Sequence, residues 1–108
     1  MEIDKIAAEI GISADTLRSL YRNFLESTLK HLEDLEEGIR NVDPKDVKTT
    51  AHHIKGAAIN LDLAGLAEKA KIIEDTAEQN NWEETKRLFS ELKAQFQQEK
   101  ETVLKLLQ

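Results

Sequence analysis

The chain has 108 residues, a formal net charge of −6 and no cysteine. Its length suits one domain, residues 1–108, built around a single core. The missing thiols exclude disulfides and thiolate metal sites, and they suit a reducing compartment. The acidic balance argues against nucleic acid as the main partner, because such binding rests on neutralising phosphates.

One proline and four glycines leave little material for turns, which favours a few long helices over many short strands. No apolar run approaches the roughly 18 residues needed to span a bilayer. Met1-Glu2-Ile3-Asp4 lacks the basic region and apolar stretch of a signal peptide. The expectation is a cytoplasmic protein without membrane contact. An initial Met1 suits a free-standing chain, although the same pattern would serve as a module of a longer hybrid kinase.

Five helical segments follow in order. Ile3, Ile6, Ala7 and Ile10 form one short apolar stripe that Gly11 ends. Ser13 is placed to cap a second helix, whose stripe runs through Leu17, Leu20, Tyr21, Phe24, Thr28, Leu32, Leu35 and Ile39 to an end near Arg40-Asn41. Asp43-Pro44 is a start signal, a cap followed by proline at the first helical position. Val47, Ala51, Ile54, Ala58 and Leu61 then define the buried face of the third helix.

Asn60-Leu61-Asp62 reads as a break, since Asn and Asp tolerate left-handed backbone. A fourth helix carries Leu63, Leu66, Ala67, Ala70, Ile73 and Ala77. Asn80-Asn81 marks the next turn, with Asn81 and Glu84 forming a capping box. The last helix presents Leu88, Phe89, Leu92, Phe96, Val103 and Leu106 or Leu107, and frays near Gln108. The predicted fold is all-α: an up-down-up-down antiparallel four-helix bundle with a short additional N-terminal helix capping one end.

The chemistry concentrates in Ala51-His52-His53-Ile54-Lys55-Gly56-Ala57-Ala58. At 100° per residue, His52 points roughly 140° from the middle of the buried face, so it looks outward. Residues three or four apart are surface neighbours, which places Lys55 beside His52. Gly56 costs roughly 1 kcal/mol against alanine in a helix, and its presence suggests that something needs close access there. Lys45 and Lys48 lie on the same outward face and would favour an anion at the imidazole. Ile59 is apolar on a face that should be wet, and could dock a partner.

For His52 to attack phosphorus, one ring nitrogen must be free and outward while an acceptor holds the other N–H. The fourth helix, returning antiparallel, offers Glu74 beside its apolar stripe as that acceptor. Glu74 could equally pair with Lys71 or Lys69 on its own helix. His52 and His53 diverge by about 100° and do not readily close around one ion. His31, on the second helix, reads as a boundary residue. Tyr21, Phe24, Trp82, Phe89 and Phe96 read as core and helix-end packing.

These residues resemble the signature of histidine-containing phosphotransfer (HPt) domains, four-helix bundles that relay a phosphoryl group between aspartates of receiver domains. In the chemotaxis-kinase variant an ATP-dependent kinase domain loads the histidine instead. The resemblance places the phosphorylated histidine at His52, the charge-neutralising lysine at Lys55 and the small residue that admits the receiver at Gly56. It places the polar side chain that holds the ring at Glu74, and leaves His53 at a variable position. The family usually has glycine where this chain has Asp62.

The implied function is a phosphoryl carrier that accepts on His52 from one receiver and passes to another. Its expected partners are response-regulator receivers and a hybrid histidine kinase. The chain is expected to act as a monomer with no cofactor of its own, Mg²⁺ belonging to the receiver. No Gly-rich nucleotide loop is present, which excludes self-phosphorylation from ATP. The alternative is a non-catalytic helical adaptor that binds a receiver or kinase without being phosphorylated. A small metal-binding bundle would require ligand partners for His52 or His53 that the sequence does not reveal.

Overall fold

A computed structural model describes residues 2–108; Met1 lies outside the described residues. The chain is all-helical: α1 (Glu2–Ile10), α2 (Ala14–Arg40), α3 (Pro44–Asn60), α4 (Ala64–Glu78) and α5 (Trp82–Leu106), with no strand among the described residues. No helix is long and apolar enough to cross a membrane among those residues.

The helix ends follow one local rule. Each turn between helices contains a residue in the left-handed region: Gly11 (φ 88°), Val42 (52°), Asp62 (59°) and Asn80 (57°). The next N–H then bonds back to a carbonyl of the finished helix, as in Ile12 to Ala7 (3.0 Å), Asp43 to Gly38 (3.0 Å), Leu63 to Ala58 (2.8 Å) and Asn81 to Thr76 (2.9 Å). This closure satisfies carbonyls that a helix C-terminus leaves open. Asp62 thus adopts the left-handed turn without a glycine.

Three of the following helices start on a side-chain cap. Ser13 Oγ accepts from Thr16 N–H at 3.1 Å, Asp43 Oδ1 from Asp46 N–H at 3.1 Å, and Asn81 Oδ1 from Glu84 N–H at 3.3 Å. Only half of the expected Asn81–Glu84 box forms, because Thr76 takes the Asn81 N–H and Glu84 pairs with Arg87. Leu63 caps α4 without a side-chain bond, so it precedes that helix instead of belonging to it.

The main core joins Phe24, Leu32, Leu35 and Ile39 of α2 to Val47, Ala51, Ile54 and Ala58 of α3. It continues through Leu66, Ala70, Ile73 and Ala77 of α4 to Leu88, Phe89, Leu92 and Phe96 of α5. The α3–α4 contact is the most extensive, α2 lies against both α3 and α5, and α4 lies against α5. A second cluster, Ile3, Ala7, Leu17, Tyr21 and Val103, seats α1 on α2 and the end of α5. Gly38 permits the first turn of α3 to come close to α2: a Cβ there would meet Asp46 Oδ2 at 2.8 Å and Val47 Cγ2 at 3.0 Å.

Two expected stripe members are exposed. Leu20 (44%) sits about 100° round the helix from Tyr21, at the edge of the stripe. Ile10 (60%) is the last residue of α1 and overhangs the contact made by Ile3 and Ala7.

Val42 is β-branched, more than half exposed and held at positive φ. Left-handed backbone costs a non-glycine residue roughly 1–2 kcal/mol, less for asparagine. Val42→Asn is therefore expected to raise stability by about 1 kcal/mol, readable as a higher urea midpoint with an unchanged slope.

Candidate functional site

The site stands where α3 and α4 face each other. Alanines at 51 and 58 on α3 and at 70 and 77 on α4 are fully buried, so short side chains let the two helices approach. Contacts between them run in opposite numerical order. Lys48 Nζ reaches Glu78 Oε1 at 2.9 Å, His52 Nδ1 lies 3.3 Å from Glu74 Oε1, and Lys55 Nζ lies 3.2 Å from that same oxygen.

Glu74 is buried, with only 7% of its side chain accessible, while the His52 side chain is 65% accessible. With Nδ1 turned to Glu74, the opposite nitrogen, Nε2, is on the solvent side of the ring. Neither approach to Oε1 has hydrogen-bond alignment, so this oxygen is sealed from water with two donors beside it and no bond formed. Such an acceptor is costly unless partnered.

The expected residues divide cleanly. His52, Lys55 and Glu74 converge. Lys48 is turned aside to Glu78, an exposed pair worth about 0–1 kcal/mol. Lys45 is exposed, two turns from His52, and makes no ion pair among the described residues. Lys71 bonds Asp75 and Lys69 reaches Glu91, so the direct contacts of Glu74 are with α3, while Lys71 acts on it only through its charge.

Gly56 has nothing within 4 Å of the position its Cβ would take. Internal packing therefore does not require a glycine there, unlike Gly38. Ile59 is 59% exposed on the same flank. No group of three or more His, Cys, Asp or Glu side chains is arranged to hold a metal ion among the described residues.

One neighbour escaped the sequence. His53, on the other flank of α3, faces His31 of α2, the ring centroids lying 5.4 Å apart and the planes tilted by 40°. Burial holds the His31 pKa below its usual 6.5; His53 and Lys30 push in the same direction and Asp34 opposes them. The signal was available only as two histidines on adjacent helices, because their meeting depends on the α2–α3 register.

Two stability measurements test this geometry. Lys55→Met strands the buried carboxylate and should cost about 1–3 kcal/mol at neutral pH. Lys55→Met/Glu74→Gln should recover much of that loss, giving a non-additive double-mutant cycle in urea denaturation. Separately, a lowered His31 pKa means that the unfolded chain binds the proton more readily. Its stability contribution is then complete above pH 6.5 and is lost as the pH falls through the folded-state value. His31→Gln should flatten the stability–pH curve between about pH 7 and 5.

A family model described as the Hpt domain matches residues 19–102, from within α2 to near the end of α5. No curated protein and no solved structure matches the chain. The match covers most of the sequence and includes His52, Lys55 and Glu74. The chain belongs to the Hpt domain family, the phosphotransfer modules of two-component signalling.

Proposed function

We propose that this protein carries a phosphoryl group on His52 between receiver domains of a two-component phosphorelay. The observation that carries the reading is the buried Glu74 carboxylate set against Nδ1 of an exposed His52, with Lys55 on the same oxygen. An acceptor on Nδ1 favours the tautomer whose Nε2 lone pair faces solvent.

In the forward step, that lone pair attacks the phosphorus of a receiver's aspartyl phosphate. The N–P bond forms as the acyl P–O bond breaks, and the aspartate leaves as a carboxylate. Nδ1 keeps its proton, and the positive charge that develops on the ring is met by Glu74. Lys55 swings from Glu74 to the phosphoryl oxygens. The return step reverses these changes on a second receiver's aspartate. Mg²⁺ is assigned to the receiver, and its chemistry is charge neutralisation on the transferring group.

Receivers dock, in this reading, over Gly56 and Ile59, with Lys45 and Lys48 facing their acidic pocket; the exposed Lys48–Glu78 pair is cheaply opened. The protein acts as a cytoplasmic monomer and as one unit. Helices α2 to α5 form an up-down-up-down bundle. Support for this arrangement comes from the ring of neighbours α2–α3, α3–α4, α4–α5 and α5–α2, and from the counter-running contacts of α3 with α4.

The test is incubation with phosphorylated receivers and Mg²⁺, followed by mass mapping of acid-labile phosphate. Wild type and His53→Gln should carry label on residue 52, and His52→Gln should carry none. Binding without label across a broad receiver panel would put the chain in the adaptor role instead. Glu74→Gln should retain the site but transfer about tenfold more slowly.

Gly56→Ala gives the opposite pattern from ordinary damage. It should raise stability by up to about 1 kcal/mol, because alanine suits a helix better. It should also weaken receiver binding, because the added methyl stands on the approach surface. Stability from denaturation and affinity from titration calorimetry check the two halves.

A further inference from the structure

The His31–His53 pair takes no part in the chemistry assigned to His52. It lies on the flank of α3 that faces α2, about 100° round the helix from His52. The geometry points to a two-histidine site for a late first-row divalent cation of the zinc class, bridging α2 and α3. This departs from the expectation of a chain with no metal of its own, and it stands independently of the phosphotransfer reading.

Three observations support it. First, Zn–N bonds of about 2.0–2.1 Å at a tetrahedral angle place two ligating imidazole centroids about 5.2 Å apart. The observed separation is 5.4 Å, which matches that spacing, so the two rings stand the right distance apart for one ion once a nitrogen of each is turned to it. Second, Nδ1 of His31 is sealed from solvent and has no hydrogen-bond partner. Buried polar nitrogens are rarely left so, and a metal bond to that nitrogen, or a metal-bound water donating to it, would answer that need. Third, His53 is exposed, so the outer side of the pair is open to an entering ion and to the waters that complete its coordination.

The donor set selects the ion. Two neutral imidazoles suit Zn²⁺, Cu²⁺ or Ni²⁺, whereas Mg²⁺ and Ca²⁺ favour oxygen ligands. With no third metal-ligating side chain arranged there among the described residues, the site is an exchangeable one that staples two helices, not a closed structural centre. Asp34, on α2 within electrostatic reach of His31, adds attraction for a cation.

The experiment titrates Zn²⁺ alone into the metal-free chain at pH 7.5, followed by calorimetry and by the imidazole C–H resonances of the three histidines. Wild type and His52→Gln should each bind one equivalent, with the His31 and His53 resonances shifting together. His53→Gln, at an exposed position where folding is not at risk, should bind at least tenfold more weakly. Zn²⁺ should raise the melting temperature of wild type and leave that of His53→Gln unchanged, and Mg²⁺ should do neither. No binding by wild type, equal binding by His53→Gln, or loss of binding in His52→Gln would overturn the proposal. The last outcome would place the ion at His52 and Glu74. None of these readouts involves a receiver, so their failure leaves the phosphotransfer reading to its own test.

Discussion

A carboxylate buried between two helices is the constraint on which this site depends. Glu74 sits on the α4 stripe that buries Ala70, Ile73 and Ala77, and it is sealed almost as completely as they are. An ionised carboxylate in that position requires compensation. Among the described residues, Lys55 Nζ and His52 Nδ1, one turn apart on α3, lie 3.2 and 3.3 Å from its Oε1. In the proposed reading, the histidine is oriented by the same approach that offsets the buried charge.

That contact exists because α3 and α4 are narrow where they meet. Larger residues at Ala51, Ala58, Ala70 or Ala77 would push the helices apart and take Glu74 out of reach of Nδ1. The left-handed Asp62 and the return bond from Leu63 to Ala58 fix where α4 begins, and so set which α4 residue lies opposite His52. The turn chemistry, the small residues and the site geometry are one arrangement seen at three scales. Gly56 is the exception that the fold does not explain: nothing lies within 4 Å of the position its Cβ would take, and in the proposed reading its cost in helix stability is tied to the partner that approaches His52.

Much of this was legible in the sequence because helical periodicity carries it. The Val47-Ala51-Ile54-Ala58 stripe alone fixes the outward direction of His52, and Asp43-Pro44 and the Asn60–Asp62 break locate the ends of its helix. Glu74 could be named because a fourth helix expected to return antiparallel would place it opposite His52, but its depth of burial could not, since that depends on how closely two sets of alanines pack. Lys48 looked like part of the anion field, yet Glu78 lies one turn beyond Glu74 and captures it. The His31–His53 contact required the α2–α3 register, which rests on Gly38 and on a left-handed Val42 that residue preferences argue against. Leu20 and Ile10 show the limit of stripe reading: an apolar residue at the right period is buried only where a neighbouring element reaches it.

The central claim is that Glu74 holds the Nδ1 proton of His52 so that Nε2 presents its lone pair to solvent. Long-range proton–nitrogen NMR on the ¹⁵N-labelled imidazole reads that tautomer directly. The account predicts that the neutral His52 ring is mainly the Nδ1–H form, and that Glu74→Met, which removes the acceptor, shifts the ring toward the Nε2–H form usual for free histidine. A His52 ring already in the Nε2–H form in wild type, unchanged by Glu74→Met, would contradict it.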